Sequence, residues 1–206
     1  MSVPERMTSQ DRVRRAVLLR LLLRAPVDVA SLSVTTGLGE AAVEETLRAL
    51  HAAGAIHRTD EGVVAAYPLS GIPTRHRLHF GETTTYACCA IDALAVPFLV
   101  DGPVSLASEC AECGAAITVR MHGARVLAAT PESLVVFYVE RDCCDRGPAV
   151  LTRCPHINFF CGASHADQWL AGHRDLVGPL LGLQEAISAA REHFDQAIRL
   201  VRNGGL

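Results

Sequence analysis

Residues 104–121 read VSLASECAECGAAITVRM, and this pattern indicates the fold class. Its two flanks, 104–108 and 116–121, are rich in β-branched residues and predict strands. Similar content predicts further strands at 77–80, 134–140 and 156–161. An apolar stripe from Leu183 to Val201 predicts one long closing helix. The second part of the chain is therefore predicted to be α+β, with a mostly antiparallel sheet covered by helices.

The first 70 residues predict a winged-helix-like helical module. Three segments with helical spacing end at Pro26, Gly37 and Gly54, and Asp28 is the predicted N-cap of the second. Two strand-like segments then flank the turn Asp60-Glu61-Gly62 and predict a hairpin. The predicted organisation is thus a winged helix-turn-helix-like module at 1–70 and an α+β domain at 71–206.

Charge argues against DNA binding by this module. Residues 1–60 hold eight arginines against seven acidic residues. The third helix, which would enter the major groove, begins with three carboxylates at Glu40, Glu44 and Glu45. Carboxylates repel phosphates at that position, so a packing role is favoured over a nucleic-acid partner.

The amino-acid composition excludes or disfavours several classes of function. The 206 residues are 50% hydrophobic and 20% charged with a net charge of −3, which favours a compact globule and disfavours a general nucleic-acid or membrane binder. No apolar run is long enough to cross a membrane, so a cytoplasmic protein is expected. The chain has no lysine, which excludes Schiff-base chemistry and a phosphate-loop lysine.

The cysteines are concentrated in one segment of the chain. They are Cys88, Cys89, Cys110, Cys113, Cys143, Cys144, Cys154 and Cys161. A cytosolic compartment keeps thiols reduced, so a disulfide framework is not expected. Cysteines that served only as small apolar residues would be scattered through every apolar element. Their clustering indicates thiol chemistry or metal binding.

Cys89 and Asp92 form a candidate reactive pair. Residues 86–99 predict an alanine-rich helix, on which side chains three apart share a face with Cβ atoms about 5–6 Å apart. Cys88 lies four residues before Asp92, so spacing alone leaves either cysteine possible. A neighbouring carboxylate can take a thiol proton and later return it, and a thiolate is both a nucleophile and a soft-metal ligand.

Three ordered segments make the pattern specific. Residues 86–94 read YACCAIDAL and precede Pro97, Ser108-Glu-Cys110 precedes Gly114, and residues 153–160 read RCPHINFF. These segments resemble the active-site helix and the two later cysteine segments of the organomercurial lyases (alkylmercury lyases, the MerB family). The resemblance runs from about Leu78 to the C-terminal helix and implies the alkylmercury lyase type for the domain at 71–206.

The resemblance implies a catalytic set of Cys89, Asp92 and Cys154. Adjacent residues on a helix point about 100° apart, so for Cys88 a packing role is favoured over a ligand role. The implied reaction is protonolysis of a carbon–mercury bond, which gives a hydrocarbon and Hg(II) held at these residues by the two cysteines. It implies no cofactor, although external cytosolic thiol is needed to release the product. It also implies a mercuric reductase as the acceptor of Hg(II), in a mercuric resistance and detoxification pathway.

The remaining cysteines leave alternatives open. Cys110 and Cys113 have the spacing of half a zinc site, which Cys143 and Cys144 could complete. A packed Cys110 and an incidental Cys113 are favoured over that structural zinc, and the histidines favour no metal site. Cys143 and Cys144 lie in a charged loop and could form a relay that passes Hg(II) on.

The sequence also allows an alternative function. A metal-responsive regulator or metal-binding protein would use the N-terminal module for DNA and the cysteine-rich domain as a sensor. The acidic third helix argues against this alternative. Asp92 favours catalysis, because a sensor that uses only thiolates needs no acid.

Overall fold

Three helices open the chain and are packed together. The computed structural model describes residues 7–140 and 147–203. The helices are α1 (Ser9–Leu22), α2 (Val29–Thr36) and α3 (Glu40–Ala52). The predicted apolar face of α3, formed by Val43, Leu47 and Leu50, is buried. These three predicted helices are confirmed.

Side-chain caps set where two of these helices begin. The Thr8 hydroxyl accepts a hydrogen bond from the backbone N–H of Asp11 at 3.1 Å. Asp28 accepts one from the N–H of Ser31 at 2.8 Å. Such caps satisfy N–H groups that have no partner inside the helix. The predicted N-cap at Asp28 is confirmed, and Gly37 ends α2 with a φ of 67°.

The strands form one large antiparallel sheet. They are β1 (Ile56–Thr59), β2 (Gly62–Ala66), β3 (Leu69–Ser70), β4 (Arg77–Phe80), β5 (Thr83–Ala87), β6 (Val104–Glu109), β7 (Ala116–His122) and β8 (Arg125–Thr130). Within the described residues the order is β1-β2-β3-β5-β4-β6-β7-β8. β1 and β2 form the predicted hairpin, with Thr59 opposite Gly62. β3 joins this hairpin to β5, so the sheet continues across residue 70.

A smaller sheet lies beside the large one. Its strands are β9 (Val135–Phe137), β10 (Asn158–Phe160) and β11 (Leu180–Gly182), with β9 in the centre and both pairings antiparallel. Phe137, Phe159 and Phe160 are each at most 1% exposed. These aromatic side chains therefore anchor the small sheet in the core.

The remaining helices cover the sheets. They are α4 (Ala90–Ala95), α5 (Ala149–Thr152), α6 (Ala163–Ala171), α7 (Leu183–His193) and α8 (Asp195–Asn203). Every residue of α4 is buried, and α7 packs directly on this helix. Across residues 7–140 and 147–203, no helix has the length and apolar character needed to cross a membrane.

Two helix predictions were wrong in their boundaries. The predicted helix at 86–99 begins only at Ala90, because three successive β-branched threonines, 83–85, extend β5 to Ala87. The long closing helix is divided into α7 and α8. Phe194 ends α7 in a non-helical conformation, with a φ of −104° and a ψ of 14°, while its side chain remains buried.

Candidate active site

The end of strand β5 delivers the first reactive side chains. Cys89 is the N-cap of α4, and its Sγ accepts a hydrogen bond from the backbone N–H of Asp92 at 3.4 Å. The thiol thus occupies the position that a serine or aspartate usually takes at a helix start. The sequence predicts Cys89 on a helix face. The structure instead brings Cys89 and Asp92 together through a cap.

Cys154 reaches the same place from a distant part of the chain. It begins a short 3₁₀ turn, Cys154–His156, just before β10. The N–H of Ala90, the first residue of α4, donates to the carbonyl of Ile157 at 3.1 Å. This bond joins the start of α4 to the Cys154 turn. The two cysteine segments are therefore held together by the backbone.

The three predicted side chains converge. The thiols of Cys89 and Cys154 and the carboxylate of Asp92 all lie within 4.8 Å of one another. The Cys154 thiol donates to Asp92 Oδ2 at a sulfur–oxygen distance of 3.9 Å. The exposed fractions are 1% for Cys89, 4% for Asp92 and 6% for Cys154. Two thiols and a carboxyl group thus share one pocket that is almost fully buried from solvent.

Burial is the largest influence on the pKa of the Asp92 carboxyl group. It raises the pKa of Asp92 from 3.8 to about 7, although hydrogen bonds from the surrounding thiols and the charge of Arg153 act in the opposite direction. A carboxyl group with this pKa exists in both protonation states near neutral pH. Asp92 can therefore accept a proton and give one back under the same conditions, as a general acid–base requires.

The thiols are held in the protonated form by the same surroundings. Burial raises the pKa of Cys89 well above its usual value, and the neighbouring Asp92 carboxylate adds to the effect. A hydrogen bond with Cys89 lowers the pKa of Cys154, but burial and the Asp92 charge outweigh it and leave that pKa raised. Both thiols therefore need a proton acceptor when they bind a metal.

Cys88 has a different environment. Its Sγ donates to the backbone carbonyl of Leu69 at 3.5 Å, and the side chain is 8% exposed. Burial raises the pKa of this thiol well above its usual value. Its sulfur is outside the group formed by Cys89, Asp92 and Cys154. The Cys88 thiol also hydrogen-bonds to Asp92 and lowers the pKa of that carboxyl group, so the packing role of Cys88 stays a prediction.

A cavity of about 590 Å³ leads to the three reactive groups. Residues of α1, α3 and β1 line it together with the Cys154 segment and the α7–α8 junction. Residues that line it include Arg14, His51, Tyr67, Tyr138, Arg153 and Phe194. The mixed polar and aromatic lining can accept a small organic group next to the sulfurs.

The structure describes some of the other predicted site residues and not others. Cys143 and Cys144, the predicted relay pair, lie outside the described residues. Cys110 and Cys113 do come together, but with Cys161 and His165, two residues that the sequence argument missed. Cys113 and His165 thus lie among other possible metal ligands, while the interpretations of Cys113 as incidental and of the histidines as favouring no metal site stay predictions. The four-residue separation of Cys161 and His165 was the available signal.

A buried pair of thiols beside a carboxyl group of raised pKa, in this α+β fold, is the arrangement expected of an enzyme that acts on a soft metal. Comparison with known proteins then gives the family. The family model described as alkylmercury lyase matches residues 69–195, more than half of the chain, and the chain belongs to the alkylmercury lyase family. A model of the HemN C-terminal domain matches residues 7–65.

Individual relatives agree with this assignment. The chain is 29% identical over 183 residues to an alkylmercury lyase of Staphylococcus epidermidis, covering 89% of this chain and 82% of the relative. It is 27% identical over 165 residues to an alkylmercury lyase of Bacillus cereus, covering 80% and 72%. The predicted enzyme class, an organomercurial lyase, is confirmed.

A solved structure has the same fold. The crystal structure of the mercury-bound form of MerB2 matches with a TM-score of 0.80 and 26% identity, over 94% of this chain and 92% of that one. This match confirms the predicted mixture of helices and antiparallel sheet.

Proposed function

We propose that this lyase cleaves carbon–mercury bonds by protonolysis at Cys89, Asp92 and Cys154. The observation that carries the proposal is the convergence of two buried thiols and a carboxyl group within 4.8 Å. Hg(II) is a soft cation that prefers thiolate sulfur to oxygen. The site therefore offers two ligands for the metal and one acid for the carbon.

Capture of the substrate is the first step. The Cys154 thiol already donates to Asp92, so the carboxylate takes its proton while the sulfur bonds to mercury. The ligand X of the substrate R–Hg–X leaves as an anion. The site then holds R–Hg bonded to Cys154 and a protonated Asp92. A pKa of about 7 allows Asp92 to be ionised before this step and protonated after it.

Protonolysis is the second step. The Cys89 sulfur binds the same mercury atom and increases the electron density on the bonded carbon. Asp92 gives its proton to that carbon, the carbon–mercury bond breaks, and R–H leaves. The Cys89 proton passes to the Asp92 carboxylate, and Hg(II) stays bound by the two sulfurs. In total, one substrate and two thiols give one hydrocarbon, X⁻, a proton and a mercury dithiolate.

Product release requires another thiol. Free thiols such as those of the cytosol exchange with the Cys89 and Cys154 sulfurs on mercury and restore the two protein thiols. The steps above use only side chains of the chain and the substrate, so no cofactor takes part in the proposal. A mercuric reductase is the proposed acceptor of Hg(II). Cys143 and Cys144 are the proposed relay toward it, tested by the Cys143→Ser/Cys144→Ser variant, whose unchanged handover would contradict the relay.

Release of benzene from a phenylmercury salt in excess thiol tests the proposed activity. We expect the wild type to release benzene, and the Cys154→Ser variant to lose release and to bind Hg(II) more weakly. Circular dichroism and the unfolding temperature establish that the variant is folded. Retained benzene release by folded Cys154→Ser would contradict the two-thiolate mechanism.

The N-terminal module is proposed to be a winged-helix-like packing unit that closes the active-site cavity. Arg14 on α1 lines the cavity and donates to Gln196 on α8 at 2.8 Å. Arg58 on β1 donates to Glu44 at 2.9 Å, so this arginine is neutralised within the module. These contacts support a role in enclosing the substrate, without a nucleic-acid partner.

A further inference from the structure

A second group of sulfur and nitrogen atoms lies outside the active site. It consists of Cys110, Cys113, Cys161 and His165, whose possible ligand atoms all lie within 4.8 Å of one another. Cys110 is buried, Cys113 is exposed, and the other two are half-buried. The proposed lyase mechanism uses none of them. We call these four residues the distal cluster.

One half of the distal cluster is a tight turn after β6. Cys110 and Cys113 are three residues apart, the C-x-x-C spacing of paired zinc ligands. The turn closes through a bond of 2.9 Å from the N–H of Gly114 to the carbonyl of Cys110. Gly114 has a φ of 71°, a conformation that glycine adopts at little cost. The turn therefore directs both sulfurs toward the same point.

The other half comes from the segment after β10. Cys161 follows the last residue of this strand, and its N–H donates to the Cys110 sulfur at 3.4 Å. His165 lies in the first turn of α6, and its Nδ1 is 3.5 Å from the same sulfur. Cys161 and His165 are four residues apart, close to the spacing of paired zinc ligands.

The distances agree with tetrahedral coordination. Zinc bonds of about 2.3 Å to sulfur and about 2.0–2.1 Å to nitrogen place two sulfurs about 3.8 Å apart and a sulfur and a nitrogen about 3.5 Å apart. The Cys113 and Cys161 sulfurs are 3.9 Å apart. The Cys110 sulfur and the His165 nitrogen are 3.5 Å apart. An ion at the centre would need little rearrangement of its ligands.

We propose that the distal cluster binds one zinc ion through three cysteine sulfurs and one histidine nitrogen. The three thiols release their protons to solvent on binding, and neutral His165 supplies a nitrogen lone pair. Three thiolates and one imidazole form a closed tetrahedral set, which is typical of structural zinc and leaves no position for substrate. Zinc here is a structural element of the enzyme, separate from the mercury that it processes.

The position of the distal cluster gives the ion a mechanical role. Ala111, in the cysteine turn, donates its N–H to the carbonyl of Phe159 on β10 at 3.0 Å. The ion would add a second link between this turn and β10, and would also fix the start of α6. The Cys154 turn lies directly before β10. Zinc at one end of the strand therefore supports the segment that carries the catalytic thiol at the other.

Metal analysis of protein purified without chelator tests the proposal. We expect one zinc per chain in the wild type and in the Cys154→Ser variant, which separates the distal cluster from the active site. Cys113→Ser and His165→Ala should each lose the zinc. Because Cys113 is exposed, its replacement by serine leaves the core intact. Removal of the zinc should also lower the unfolding temperature of the Cys154→Ser variant.

Cobalt(II) gives a second measurement, made in the Cys154→Ser variant so that the active-site thiols do not form a competing pair. In the zinc-depleted variant, bound cobalt should show the strong visible absorption of a tetrahedral site with thiolate ligands, and added zinc should remove it. Purified protein without zinc that also fails to bind cobalt in this way would overturn the proposal. So would zinc that survives in both variants of the distal cluster, or a cluster that takes up only Hg(II). Benzene release by the wild type is measured separately, so the lyase mechanism and the zinc site can fail independently.

Discussion

Asp92 has two tasks in the proposed reaction, and a single substitution separates them. Asp92→Asn keeps both thiols but removes the proton acceptor and donor. We expect organomercurial binding to persist at equilibrium but to form more slowly, because the thiol proton must then pass to solvent. Benzene release should fall by about 10²-fold or more, the range for loss of a general acid. The control is Asp60→Asn, which alters an exposed carboxylate in the β1–β2 turn. Similar turnover by Asp92→Asn and Asp60→Asn would remove Asp92 from the mechanism.

The raised pKa of Asp92 also makes the stability of the fold depend on pH. In the folded chain Asp92 binds its proton more tightly than in the unfolded chain, where its pKa is 3.8. Its contribution is therefore fully present below about pH 4 and is lost as the pH rises through about 7. From pH 5 to pH 8 the loss is roughly 2–3 kcal/mol.

Urea unfolding of the wild type and Asp92→Asn at both pH values measures this loss. Asparagine does not titrate, so the stability of the variant relative to the wild type should increase between pH 5 and pH 8. A constant difference between the two proteins would show that Asp92 titrates normally. Substrate capture should follow the opposite trend and become faster through about pH 7, because only the carboxylate can accept the thiol proton.

Individual site residues could be predicted from the sequence where a segment resembles a known family. They could not be predicted where residues from distant segments come together only in the folded chain. Cys89 and Cys154 are far apart in the chain, and spacing alone could not have paired them. Cys161 and His165 were missed because their partners come from the turn after β6. The adjacent cysteines 143 and 144 were considered in their place.

Gly178, in the loop before β11, lies very close to the backbone of Tyr138, the residue after β9. A β-carbon on Gly178 would lie 2.2 Å from the carbonyl oxygen of Tyr138, so the backbone would have to move. We expect Gly178→Ala to destabilise the fold by about 1–3 kcal/mol. Capture of substrate should also weaken, because Tyr138 lines the cavity.

Gly172→Ala is the matched control, since its β-carbon would meet the nearest carbonyl oxygen at an ordinary 3.5 Å. Urea unfolding and mercurial binding compare the two variants. Equal stability of Gly178→Ala and Gly172→Ala would contradict the close approach.

Element prediction succeeded where caps and stop signals are local. Asp28 and Gly37 bound α2 as predicted, because each acts on its own backbone. The start of α4 could not be placed, because residues 86 and 87 continue strand β5 and the thiol of Cys89 serves as the N-cap. β3 and β11, of two and three residues, depend on strands elsewhere for their pairing and leave little pattern in the sequence.

For the whole molecule, the charge of the N-terminal module separates an enzyme from a regulator. Glu40 and Glu45 lie exposed on α3, at the end that would approach DNA. We therefore expect no salt-dependent binding to duplex DNA, whereas a binder that neutralises phosphates would weaken steeply with salt. Fluorescence anisotropy with a labelled duplex over a range of salt concentrations measures this. Tight, salt-sensitive binding would favour the regulator.

Cys89, Asp92 and Cys154 are proposed to act together on one mercury atom and its bonded carbon. A single turnover of phenylmercury in D₂O, without external thiol, tests this mechanism. Thiol and carboxyl protons exchange with the solvent, so we expect one singly deuterated benzene for each mercury retained on the chain. We also expect no benzene from Cys154→Ser. Benzene without deuterium, biphenyl as the product, or undiminished release by Cys154→Ser would contradict this mechanism.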